Sequence, residues 1–176
     1  MVSPRSIHNL ALVDFMGTGK SSVGRLVAEQ LHFNFVDTDE MIESQTGKSV
    51  AEIFAQHGEP AFRQLERDVV EKFAGSRGLV ISTGGGLVMH PENMASLKRH
   101  ALIICLWASP ETIWERVRTQ THRPLIQTPD PLGKIRELLA QRSAAYHEAD
   151  GLIHTGFRSP REVVQQVIHH FRLAQK

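Results

Sequence analysis

The chain has 176 residues, 41% of them apolar and 22% charged, with 20 basic against 19 acidic side chains and a formal charge of +1. That size predicts a single domain that buries about 70% of its unfolded surface, enough for a core without disulfides or a structural metal. The composition excludes a disordered, collagenous or coiled-coil chain. The near-neutral charge gives no electrostatic case for nucleic-acid binding, and the single Cys105 excludes an intrachain disulfide or a multi-cysteine zinc site.

The opening MVSPRSIHN is followed by no long apolar segment, and the apolar stretch at 10–13 breaks at Asp14. It is far too short to cross a bilayer. The expectation is therefore a cytoplasmic chain without membrane partners; a monomer is expected as well. Cys105 sits in an apolar run and reads as a small buried hydrophobe.

In chain order, residues 7–15 predict a strand that runs into a glycine-rich turn. Residues 20–31 predict a helix, with Val23, Leu26, Val27 and Leu31 along one stripe. A short strand at 33–36 ends in Asp37-Thr38-Asp39. Two short helices follow at 40–45 and 49–56, parted by Gly47, the second opened by a Ser49-x-x-Glu52 capping box. Residues 60–73 predict another helix, and 79–82 a third strand that meets Gly84-Gly85-Gly86. The fourth strand, 101–107, leads into Ser109-Pro110, an N-cap and first-turn proline. Residues 119–131 are polar with three prolines and read as a loop. A helix at 132–148, a last strand at 152–155 and a helix capped by Ser159-Pro160-x-Glu162 complete the chain.

Strands alternating with helices imply βαβ units and a parallel sheet. The run at 101–107 is apolar throughout, as a strand buried on both faces should be. Ten histidines invite a metal reading, but His169 and His170 are adjacent and point to different helix faces. Trp107 and Trp114 read as core or covering residues.

The strongest local signal is Gly17-Thr18-Gly19-Lys20-Ser21-Ser22, placed between a strand and a helix. Glycines let backbone N–H groups approach phosphate oxygens, and the helix start adds positive dipole. Lys20 can reach the β- and γ-phosphates of a nucleotide, and Ser21 can ligand Mg²⁺. The phosphate-loop pattern asks for glycine at position 14, where this chain has Asp14. A carboxylate there is unfavourable toward a triphosphate and harmless toward solvent. The expectation is a formed loop with Asp14 turned away from the phosphates.

Three clusters bear on the acceptor. Asp37 and Asp39 follow a strand, on the edge of a parallel sheet where ligands bind. One carboxylate there can hold Mg²⁺ through water while the other accepts a proton from an attacking hydroxyl. Gly84-Gly85-Gly86 allows close backbone approach to a ligand. Arg63, three residues before Glu66 on a helix, can be held in place for a carboxylate ligand.

With these clusters in order, the chain resembles the shikimate kinases. The resemblance runs over nearly the whole length. It includes Phe15-Met16-Gly17-Thr18-Gly19-Lys20-Ser21, Phe35-Val36-Asp37-Thr38-Asp39, Gly58-Glu59-Pro60-Ala61-Phe62-Arg63, Thr83-Gly84-Gly85-Gly86, Arg123-Pro124-Leu125 and Arg142-Ser143-Ala144-Ala145-Tyr146. Ala145 departs from the leucine that often precedes the tyrosine in that family.

The resemblance implies a three-layer α/β P-loop kinase fold, with a five-stranded parallel sheet of order 2-3-1-4-5 and a mobile lid. It implies one domain over 1–176, with the phosphate loop at 14–22, the substrate region at about 37–66 and the lid at about 119–131. It implies transfer of the ATP γ-phosphate to the 3-hydroxyl of shikimate. Asp39 is then the base and holds shikimate hydroxyls. Arg63 and Arg142 grip its carboxylate, and Gly84, Gly85 and Gly86 line the same pocket. Arg123 covers the phosphates from the lid, while Arg116, Arg158 and Pro160 flank the adenine. Ser21 and, through water, Asp37 serve Mg²⁺. Two other readings stay open at this point: a related binding or regulatory protein weakened by Asp14, and a kinase for another small hydroxy-acid such as gluconate.

Overall fold

The structure is a computed structural model that describes residues 5–119 and 126–175. Five strands, β1 (Asn9–Val13), β2 (Asn34–Asp37), β3 (Leu79–Ser82), β4 (Ala101–Trp107) and β5 (Gly151–His154), form one parallel sheet of order β2-β3-β1-β4-β5. This is the 2-3-1-4-5 order that the resemblance implies. Seven α-helices flank the sheet among the described residues: α1 (Lys20–Leu31), α2 (Thr38–Thr46), α3 (Val50–Lys72), α4 (Pro91–Lys98), α5 (Pro110–Val117), α6 (Pro131–His147) and α7 (Pro160–Ala174). None of them is long and apolar enough to cross a membrane.

Alternation along the strands builds the two cores. On β1, Leu10 and Leu12 face α1 and α7, packing with Val27, Val164 and Phe171. Ala11 and Val13 face the opposite layer, with Ile53, Val69, Leu97 and Ile135 from α3, α4 and α6. β1 and most of β4 are buried on both faces, which explains their unbroken apolar sequence. Cys105 lies in this core as expected, and burial pushes its thiol up to about 12.

The local signals act as read. Ser49 with Glu52, and Ser159 with Glu162, form reciprocal capping boxes at α3 and α7. The Ser109 hydroxyl caps α5, with Pro110 in its first turn. Gly47 closes α2 in the left-handed region at φ 66°. The two helical segments expected at 49–56 and 60–73 are α3, interrupted at Gly58, whose φ of 77° and ψ of 174° are not helical. α4 has no counterpart among the expected elements. Its apolar signal is only Met94 and Leu97, both buried, behind Pro91.

Register brings three loops to one level. Ser82 pairs with Leu12 on one side and with Asp37 on the other. The chain therefore leaves β1, β2 and β3 together at the carboxyl edge, into the phosphate loop, Asp37-Thr38-Asp39 and Gly84-Gly85-Gly86. Hydrogen bonds then fasten the glycine run: Thr83 N–H to the Leu12 carbonyl (3.1 Å), and Gly84 N–H to the Thr38 hydroxyl (2.9 Å).

Candidate active site

A cleft of about 540 Å³ opens at this edge. It is lined by Gly17, Gly19, Lys20, Ser21 and Ser22 of the phosphate loop, by Asp37, Asp39, Arg63 and Arg142, by Gly84, Gly85 and Gly86, and by Arg116. Residues expected from distant parts of the sequence thus share one cavity. Thr18 is buried instead, its hydroxyl donating to the Phe15 carbonyl at 3.3 Å. Arg123 lies outside the described residues.

The loop between β1 and α1 is formed. Gly17 has a φ of 79°, and a methyl group there would stand 2.6 Å from Val117 Cγ1, so both its backbone and its packing require glycine. Gly19 is the N-cap of α1 at φ 102°, with no side chain bonded to the helix start. No acidic residue stands in the first turn of α1, so none of the helix's own side chains offsets its dipole and backbone donors.

Ser21 Oγ donates to Asp37 Oδ2 at 3.3 Å, joining the loop to β2. The other oxygen, Asp37 Oδ1, caps α2 by accepting from the N–H groups of Asp39 (3.0 Å) and Glu40 (3.3 Å). Capping fixes the carboxylate and leaves one oxygen beside the serine hydroxyl. This hard-oxygen pair fits Mg²⁺, which takes one or two protein oxygens and fills the rest of its octahedron with waters and substrate phosphates.

Each glycine of the run meets one charged side chain. A methyl at Gly84 would stand 2.6 Å from Asp39 Oδ1, at Gly85 3.2 Å from Arg142 Nη1, and at Gly86 2.8 Å from both Arg63 Nη1 and Nη2. Asp39 Oδ1 is buried and accepts no hydrogen bond from the described residues. Burial, and next the neighbouring Asp37 charge, push the Asp39 carboxyl up to about 6, against the pull of Lys20 and Arg63. It is an acceptor at the ligand edge, with a proton affinity near neutrality.

Arg63 is held from two sides, by Glu66 (Nη1 to Oε2, 2.7 Å) and Glu59 (Nη2 to Oε1, 2.8 Å). Burial alone would lower its pKa, but the hydrogen bonds and charges of Glu66 and Glu59 outweigh it and leave it raised. Glu66 is buried, and desolvation raises its pKa against the pull of Arg63. Arg142 donates to the Gly85 carbonyl at 3.2 Å, and the Tyr146 hydroxyl donates to the same oxygen at 3.3 Å. Sequence reasoning missed Glu59, one turn before Arg63, and the Tyr146 bond. It also missed Phe62, which joins the cleft lining beside Arg63. The signal for Glu59 was its i,i+4 spacing from Arg63.

Arg116 donates to the Gly17 carbonyl (3.3 Å), the Thr155 hydroxyl (3.1 Å) and the Thr155 carbonyl (2.9 Å). It thereby ties the phosphate loop to the segment after β5. Arg158 in that segment donates to the His154 carbonyl at 2.7 Å, and Pro160 opens α7. Arg158 and Pro160 are exposed and do not line the cleft.

Asp14 does not reach solvent: it is 1% exposed, with Oδ2 3.5 Å from Lys20 Nζ. The chain enters the loop straight from the buried central strand, so this position lies under the loop rather than at its mouth. Lys20 also donates to the Phe15 carbonyl at 3.1 Å. Burial raises the Asp14 pKa well above the usual carboxylate range, although Lys20 and Arg116 pull it down.

The sheet order, the phosphate loop and the cleft define a P-loop phosphotransferase of the small-molecule kinase class. The family model for shikimate kinase matches residues 16–172. The chain is 45% identical over 165 residues to the shikimate kinase of Thermodesulfovibrio yellowstonii, covering 94% of this chain and 95% of that one. It is 45% identical to the shikimate kinase of Caldanaerobacter subterraneus subsp. tengcongensis, covering 94% and 96%. Its fold matches the shikimate kinase from Acinetobacter baumannii, solved in complex with shikimate, at a TM-score of 0.88 and 34% identity over 96% and 95% of the two chains. The chain belongs to the shikimate kinase family.

Proposed function

We propose that this chain, as a single cytoplasmic domain acting as a monomer, transfers the γ-phosphoryl group of ATP to the 3-hydroxyl of shikimate. The observation that carries the reading is the meeting, in one cleft, of a phosphate loop with Asp39, Arg63 and Arg142 around a glycine run. Shikimate presents one carboxylate and three hydroxyls, and this set matches both: arginine forks for the first, a carboxylate and backbone donors for the others.

Phosphoryl transfer needs positioning and charge neutralisation more than covalent chemistry. Lys20 and the start of α1 neutralise the phosphate oxygens as charge moves between the β- and γ-groups. Ser21 and, through water, Asp37 would hold Mg²⁺, which supplies further charge neutralisation at the phosphates. Asp39 orients the attacking hydroxyl and accepts its proton. Arg63, braced by Glu66 and Glu59, and Arg142, braced by the Gly85 carbonyl, hold the substrate carboxylate. Gly85 and Gly86 offer N–H donors. Arg116 and the segment with Arg158 and Pro160 flank the adenine, and Arg123 is assigned to the phosphate-covering lid.

A coupled ADP-release assay with shikimate, gluconate and no acceptor tests the reading. ADP release that depends on shikimate supports it. Release with gluconate but not shikimate would assign another acceptor, and binding of shikimate without release would leave a binding protein.

A further inference from the structure

The Asp14 carboxyl lies in a closed space below the phosphate loop. Neither oxygen accepts a hydrogen bond from the described residues. The cation that faces it is Lys20, 3.5 Å away. Arg116 on α5 acts on it from further off. The Cys105 thiol on β4 and the Tyr146 hydroxyl on α6 share its surroundings, with Ile113 and Leu139 closing the space. Both of those groups hold their protons at neutral pH, because burial raises them further. Lys20 is therefore the adjacent group that can balance an ionised Asp14, and it is also the side chain that the phosphates of a nucleotide would engage.

These two demands conflict. A buried carboxylate that loses its cation becomes an uncompensated charge, one of the costliest states in a protein interior. Here it would also lie beneath several phosphate charges of the same sign. Protonation resolves the conflict, since a neutral carboxyl neither repels the phosphates nor needs Lys20.

We propose that Asp14 is a proton-exchanging positioning residue for Lys20: ionised, it retains the ammonium below the loop, and it takes up one proton when nucleotide phosphates draw Lys20 into the cleft. The balance is simple. One proton leaves the buffer, one O–H bond forms on Asp14, and the Asp14–Lys20 ion pair is replaced by a Lys20–phosphate pair. Nucleotide binding is then linked to pH at a position where the phosphate-loop pattern has glycine and no such linkage. The inference rests on the nucleotide-binding part of the proposed function.

The test is calorimetric titration of Mg·ADP into the protein at several pH values from about 6 to 9.5, each in two buffers of different ionisation enthalpy. The difference between buffers counts the protons taken up. The wild type is expected to take up protons, approaching one in part of this range, and its affinity to fall by up to about tenfold per pH unit there. Asp14→Asn and Asp14→Gly are expected to lose both effects. Ionisation of the nucleotide itself is common to all forms and cancels in the ratio of wild type to variant. Equal proton counts in wild type and variants, or no uptake by the wild type at any pH, would overturn the proposal. Should neither variant fold, infrared difference spectra of the wild type with labelled aspartate decide it. A new protonated-carboxyl band on nucleotide release from a caged precursor supports it, and no such band overturns it. Absence of any nucleotide binding would overturn the kinase reading as well, which separates the two failures.

Discussion

The Asp39 carboxylate and the backbone of Gly84 are in such close approach that a single methyl group cannot enter between them, since it would stand 2.6 Å from Oδ1. Gly84 is in turn fixed by its N–H bond to Thr38, the residue before Asp39. Gly84→Ala must therefore push the carboxylate aside rather than move the backbone. Because the phosphate loop is built elsewhere, we expect the KM for shikimate to rise at least about tenfold, the effect of ~1.4 kcal/mol, with ATP affinity nearly unchanged. Calorimetric titration with each ligand separately checks this. Equal weakening of both would contradict the assignment of Asp39 to the acceptor side.

Asp39 also sets a pH dependence. Its carboxyl is pushed up to about 6 by burial and by Asp37, and the ionised form is the better acceptor for substrate hydroxyls. Shikimate affinity should thus hold above that value and fall below it, by about tenfold one pH unit lower. Titrations in the presence of a metal chelator isolate the effect from metal binding. Asp39→Asn should bind shikimate weakly at all pH values and lose most turnover.

Arg63 and Arg142 approach neighbouring glycines of one run, Gly86 and Gly85. If both hold one carboxylate, Arg63→Ala or Arg142→Ala should each raise the KM for shikimate by the equivalent of about 1.5–3 kcal/mol. Lysine should not restore it, because the fork geometry is lost. Arg142→Ala is the cleaner test, since removing Arg63 also strands the buried Glu66 and costs stability. An analogue of shikimate without the carboxylate should show little further loss in either variant.

Much of this site was legible in the sequence because its residue types have few other uses in that order. A glycine-lysine-serine turn between a strand and a helix, an Asp-x-Asp after the next strand and a triple glycine after the third were each visible as local patterns. The parallel sheet then placed them together, since parallel strands all leave from the same edge. Three features were missed. Glu59 stands at i,i+4 spacing from Arg63, but it follows directly on the non-helical Gly58, which hides that both share one helical segment. Tyr146 reaches the Gly85 carbonyl across the fold, a contact with no local signal. The burial of Asp14 had no local signal, because carboxylates are rarely buried. Its position is set by the central strand that precedes it, which is enclosed on both faces.

Asp14 carries a prediction for stability as well. Its carboxyl binds a proton more tightly in the folded chain than in the unfolded one, so stability is fully present below the ordinary carboxylate pKa and is lost as pH rises toward the folded value. Asp14→Asn lacks this loss. Its Tm should exceed that of the wild type by an amount that grows with pH, with each ~1 kcal/mol of relief worth about 2–4 °C in a chain of this size. Thermal melts from mildly acid to mildly alkaline pH, without nucleotide, measure it. Parallel curves for the two forms would show that Asp14 does not titrate between folded and unfolded states.

The phosphorus NMR spectrum of a reaction containing the enzyme, Mg·ATP and shikimate tests the central claim most directly, with Lys20→Ala as the control. The account predicts that one new phosphomonoester signal grows as ATP becomes ADP, that its coupling places the phosphate on the 3-hydroxyl of shikimate, and that Lys20→Ala slows its growth by about a hundredfold or more. ATP loss that yields only inorganic phosphate, a phosphate on another hydroxyl, or a Lys20→Ala variant as fast as the wild type would contradict it.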